Sequence, residues 1–94
     1  MTDNDAEACR LILYVAGETP KSVAAVRNLK RICTERLAGK YVMEVVDLRA
    51  NPKLAREHGI VAIPTLVRQL PVPIRKIIGD LSDAERVLVH LEVV

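Results

Sequence analysis

The chain has 94 residues, half of them apolar and 28% charged, with a formal net charge of +2. That length suits one domain over residues 1–94 around one core, and the composition excludes a disordered chain. The charge is too small for a nucleic-acid field, and with only Tyr14 and Tyr41 as aromatics no stacking platform for single strands exists.

Met1 to Glu7 are polar and acidic, the reverse of a secretory leader, and no apolar run approaches a membrane span. The protein is expected to be cytoplasmic, without a membrane or nucleic-acid partner, and flexible over residues 1–9. Arg10 to Ala16 is a continuous apolar run ahead of Gly17, which predicts a buried central strand. Thr19 as N-cap and Pro20 at the first helical position start a helix running to about Leu37, closed by Gly39. Its apolar face should hold Val26, Leu29, Cys33 and Leu37, supported by Val23 and Ile32. Tyr41 to Asp47, rich in Val, predicts a second strand. Strand, helix and strand at this spacing make a right-handed unit with parallel pairing.

Asn51-Pro52 repeats the cap-and-proline signal for a short helix over Lys53 to His58, ended by Gly59. Ile60 to Leu70 is strand-like but interrupted by Pro64, and Ile74 to Ile78 is another short strand candidate before the Gly79-Asp80 turn. Ser82-Asp-Ala-Glu85 reads as a capping box for a helix whose stripe is Ala84, Val87, Leu88 and Leu91. The order βαβαββα is that of the thioredoxin fold, an α/β architecture.

In a redox thioredoxin the thiol pair sits between the first strand and the first helix. Here that stretch is Gly17-Glu-Thr-Pro-Lys-Ser22, with no nucleophile. Cys9 and Cys33 are expected to be free thiols, because cytosolic conditions and the spacing of helix and sheet layers both disfavour a bridge. His58 and His90 have no companion ligand at metal spacing, so no metal and no cofactor are expected. Ile63-Pro64-Thr65 stands where thioredoxin-like folds hold a cis proline beside the binding end. The alternative is an edge-strand proline that blunts pairing. Pro71 and Pro73 read as turn rigidifiers that could isomerise if the fold switches. Arg68, Arg75 and Lys76 form a basic cluster, either a solvated face or a partner contact.

Four segments carry a family resemblance: Leu13 to Ser22, Val46-Asp47 with Asn51-Pro52, Ile63 to Leu66, and Leu70 to Asp83. The last, a Pro-x-Pro turn running into a basic strand and a capped helix, is the most specific. In these segments, over roughly Leu11 to Leu91, the chain resembles the KaiB family. It departs at Val72, where the family commonly has a third proline, and it ends at Val94 without the acidic tail of many relatives. The resemblance implies a non-enzymatic circadian-clock component that binds a KaiC-like hexameric ATPase and regulates its phosphorylation cycle. It also implies capture of KaiA where present and competition with a SasA-type kinase. Ile63, Pro64, Thr65, Arg68, Arg75 and Lys76 are then expected to face the partner. The family is metamorphic: a thioredoxin-like monomer and a ground state, often tetrameric, share the first half and differ in the second. Pro64, Pro71 and Pro73 are expected to belong to that switch. The capped, unbroken C-terminal helix argues for the thioredoxin-like monomer as the resting state of this chain. Alternative functions are a divergent sensor or stress-response module acting on another ATPase and, disfavoured by the missing thiol pair, a thiol-disulfide oxidoreductase.

Overall fold

β1 (Cys9–Val15) is the strand on which both layers of the protein are built. It pairs in parallel with β2 (Tyr41–Asp47) and antiparallel with β3 (Thr65–Leu70), and β3 pairs antiparallel with β4 (Arg75–Ile78), giving the order β2-β1-β3-β4. Three helices, α1 (Pro20–Arg36), α2 (Pro52–Glu57) and α3 (Ala84–Leu91), complete the expected βαβαββα order. The computed structural model describes residues 9–37 and 40–91. The expected helix stop at Gly39 and the first eight residues of the expected flexible start lie outside them. Cys9, read as part of that start, instead opens β1 and is buried. Among the described residues no helix is long and apolar enough to cross a membrane.

Alternation along β1 sends side chains to both faces. Cys9, Leu11, Leu13 and Val15 pack under α1 and α3, against Leu29, Ile32, Cys33, Leu66, Val87, Leu88 and Leu91. Ile12 and Tyr14 point the other way, into a smaller cluster with Leu48, Ile60 and Val67 beside α2. A strand buried on both sides reads as an unbroken apolar run, which is why β1 is legible from sequence.

The helix ends differ from their sequence signals in instructive ways. Thr19 does cap α1, accepting from the Ser22 amide (3.3 Å). The buried stripe of α1, however, is rotated toward Ser22, Ala25 and Asn28, and Val23 is left 44% exposed. Small residues let the first turns approach the sheet closely, and Asn28 stays satisfied by donating to the Asp80 carbonyl (2.8 Å). Asn51 makes no side-chain cap, so α2 starts on Pro52 alone. At α3 the cap is Asp83, whose Oδ1 accepts from the Arg86 amide (3.1 Å). Ser82 instead donates its amide to Asp80, and Glu85 pairs with Arg36 of α1 at 2.6 Å. The expected capping box is therefore a single Asp cap shifted by one residue.

The far end of α3 is held by a cation. Arg68 is only 2% exposed; its Nη1 donates to the Leu91 carbonyl and its Nη2 to the Pro73 carbonyl (2.6 Å). The Pro-x-Pro turn lacks amide donors at Pro71 and Pro73, and helix C-termini leave carbonyls unpaired, so one guanidinium satisfies both. Arg68→Met keeps most of the buried stem but strands both carbonyls. It should cost about 2–4 kcal/mol, and Arg68→Lys should not restore it, because an ammonium lacks the fork. Urea unfolding measures this, and a midpoint for Arg68→Met equal to the parent's would show the brace to be dispensable.

Candidate functional site

The C-terminal ends of β1 and β2, the start of β3 and the end of β4 lie at one end of the sheet, so four loops meet there. Asp47 ties two of them together. Its Oδ1 accepts from the amides of Gly17 (3.1 Å) and Arg49 (2.9 Å), and the Arg49 guanidinium lies 3.5 Å from Oδ2. These donors, the Arg49 amide first, hold the Asp47 carboxyl below its ordinary range. Gly17 has φ +63°, a left-handed bend that favours glycine, and a Cβ there would displace the guanidinium end of Arg49. The other two loops are joined by the Gly79 amide donating to the Pro64 carbonyl (3.0 Å). The peptide bonds before Pro64, Pro71 and Pro73 are all cis.

The six residues expected to face a partner are not brought together on one exposed patch. Ile63 is 40% exposed at the loop end, but Pro64 and Thr65 are buried beneath it, with Thr65 Oγ1 donating to the Ala62 carbonyl (2.6 Å). Arg68 and Arg75 stand opposite each other at the other end of the β3–β4 pair, roughly 10 Å down the strand from Thr65. Arg68 is interior, so its place in a surface cluster is corrected to that of a brace. Arg75 is half-buried, and Lys76 is exposed on the α2 side of the sheet. Lys76 Nζ donates to the His58 carbonyl (2.9 Å), at the C-terminus of α2.

Cys9 and Cys33 are free and buried in the core beneath α1. Burial pushes the Cys33 thiol up to about 11, with the neighbouring Cys9 adding to the shift. Burial likewise raises Cys9, partly offset by the Arg68 guanidinium. Neither offers a thiolate at neutral pH.

Sequence reasoning did not single out the Asp47–Gly17–Arg49 latch or the placement of Arg86 and His90 side by side along one cleft next to β4. The second was findable, because a four-residue spacing puts both on the face of α3 opposite the Val87-Leu88-Leu91 stripe. The first joins residues thirty apart and has no local signal.

A family model described as the KaiB domain matches residues 12–93. The circadian clock oscillator protein KaiB of Microcystis aeruginosa is 55% identical over 82 residues, covering 87% of this chain and 79% of that protein. The protein of the same name from Synechococcus sp. is 52% identical over 82 residues, covering 87% and 80%. Among solved structures, the N-terminal domain of Synechococcus elongatus SasA superposes with a TM-score of 0.75 at 26% identity, covering 95% of this chain and 88% of that one. Chloroplastic thioredoxin z superposes with a TM-score of 0.73 at 17% identity, covering 99% and 86%, a likeness of fold alone. With the KaiB domain matched over residues 12–93 of the chain and more than half of the aligned residues identical to those of its relatives, this chain belongs to the KaiB family.

Proposed function

We propose that this chain is a non-enzymatic circadian-clock component that binds a KaiC-like hexameric ATPase ring and regulates its phosphorylation cycle. The observation that carries the reading is the KaiB domain match over residues 12–93, in a thioredoxin-like chain whose loop from Gly17 to Ser22 holds no thiol. The likeness to the SasA N-terminal domain supports competition with a SasA-type kinase, since two chains of one shape can share one seat on a ring. Where KaiA is present, the ring-bound protein captures it. The ring-facing surface in this proposal centres on Ile63 at the loop end and reaches along the β3–β4 pair to Arg75 at its far end, while Pro64, Thr65 and Arg68 support it from within. The protein acts in the cytoplasm and rests as a thioredoxin-like monomer, the tetrameric ground state of the family being its minor alternative. Thiol-disulfide exchange needs a thiolate at an accessible site, and the buried Cys9 and Cys33 with raised pKa values do not supply one.

Calorimetric titration of a purified KaiC-type ring tests the partner. Arg75→Glu should weaken binding by about 1–3 kcal/mol if the charge is hydrogen-bonded and desolvated in the complex, and Ile63→Asp should weaken it as well. Parent-like affinity in both variants would move the seat elsewhere, and absence of binding by the parent would refute the ring reading. In an insulin-reduction assay the protein should give no turnover. Activity lost in Cys9→Ser/Cys33→Ser would return those thiols to a catalytic role, and activity surviving there would defeat the thiol argument itself. Light scattering should report a mass near the 10.4 kDa of one chain, with helical backbone shifts over residues 84–91. Strand shifts there, or a tetramer, would overturn the proposed resting state.

A further inference from the structure

β4 is an edge strand, and outside its free edge lies an open cleft of about 290 Å³ between the loop at Gly59–Val61 and the outer face of α3. Its floor is the buried pair Ile60 and Ile77, and its rim carries the exposed apolar side chains Val61 and Ile78. Among the described residues, Lys76, Arg86 and His90 also line it and no carboxylate does. The acids of α3 are occupied elsewhere: Asp83 caps the helix, and Glu85 reaches to Arg36 on α1.

Two of the three basic side chains are fixed before any ligand arrives. Lys76 Nζ is anchored on the His58 carbonyl, so close over Gly59 that an added Cβ there would crowd it at 3.2 Å. His90 is anchored through Nε2 on the Lys76 carbonyl at 2.7 Å. Arg86 lies one turn before His90 on the same helix face. An apolar floor ringed by basic groups that are already positioned selects a guest with an apolar body and negative flanks, because ordering costs are low and the charges are complementary. His90 also occupies an edge carbonyl of β4, so a guest cannot extend the sheet along the whole strand. Side-chain insertion, not strand addition, is the mode this edge permits.

We propose that this cleft docks an acidic protein segment that inserts one aliphatic side chain between Ile60 and Ile78 and sets flanking carboxylates against Arg86 and Lys76. The site goes beyond the ring-binding reading and stands on its own chemistry, whichever protein supplies the segment.

The test is an amide-shift NMR titration of the full chain with the blocked peptide acetyl-Glu-Glu-Leu-Glu-amide. Saturable shifts are expected at Val61, Ile78, Arg86 and His90. The Gln-Gln-Leu-Gln peptide should bind about fivefold more weakly, the loss of a few exposed ion pairs, and so should the parent peptide to Lys76→Gln/Arg86→Gln. Replacing Leu by Ala in the charged peptide should weaken it about as much, by loss of apolar burial. Both substituted residues are exposed, and unchanged shifts elsewhere check that the fold is intact. Equal affinity for the charged and neutral peptides, equal affinity of the double variant, or shifts spread away from the cleft would each overturn the proposal. Absence of shifts at millimolar peptide would do so too. None of these outcomes depends on a KaiC-type ring, so failure of this site and failure of the ring reading are told apart.

Discussion

Arg68 on one face of the β3–β4 hairpin and Lys76 on the other each donate to the carbonyls at the end of a helix, Arg68 to Leu91 of α3 and Lys76 to His58 after α2. A helix C-terminus gathers unpaired carbonyls and partial negative charge, so a cation there is stabilising both as a donor and against the dipole. The hairpin thereby holds the second half of the chain to β1 from both sides of the sheet. This matters because α2 has six residues and α3 eight, too short to be stable helices by themselves. Their existence depends on packing and on these end contacts, whereas the seventeen-residue α1 carries more of its own stability.

The same dependence decides what could be read in the sequence. β1, α1 and β2 were legible because hydrophobic runs, a Thr-Pro start and Val-rich strands are local signals that agree with the fold. The second half was legible as an order of elements but not in its details. Asp83 displaces Ser82 as cap because Ser82 is drawn into the turn by Asp80, and Glu85 is drawn away by Arg36. The stripe of α1 rotates because Asn28 finds the Asp80 carbonyl across the core. In each case a tertiary partner far away in sequence outbid a local pattern, and no window of neighbouring residues contains that partner.

The basic residues of the hairpin illustrate the limit for the site. In sequence, Arg68, Arg75 and Lys76 are three charges near a strand pair, and charge near a strand reads as surface. Alternation along β3 instead directs Arg68 to the helix-covered face, opposite Leu11, where its donation to the Leu91 and Pro73 carbonyls helps make its burial tolerable. Charge alone therefore misplaces Arg68; the missing donors of Pro71 and Pro73 were the available hint that a nearby cation would be needed inside.

The loop end carries the remaining argument. A redox thioredoxin uses this end for a nucleophile, and its loops must allow that thiol to react. Here the loops are tied in pairs, Gly17 and Arg49 through Asp47, and Gly79 through the Pro64 carbonyl. Such ties lower the entropy lost when a surface is immobilised by a partner, and they need no reactive group. The first loop at this end, Gly17 to Ser22, holds no thiol, Ile63 is exposed beside the buried Pro64, and each tie fixes the shape on which the proposed recognition would draw.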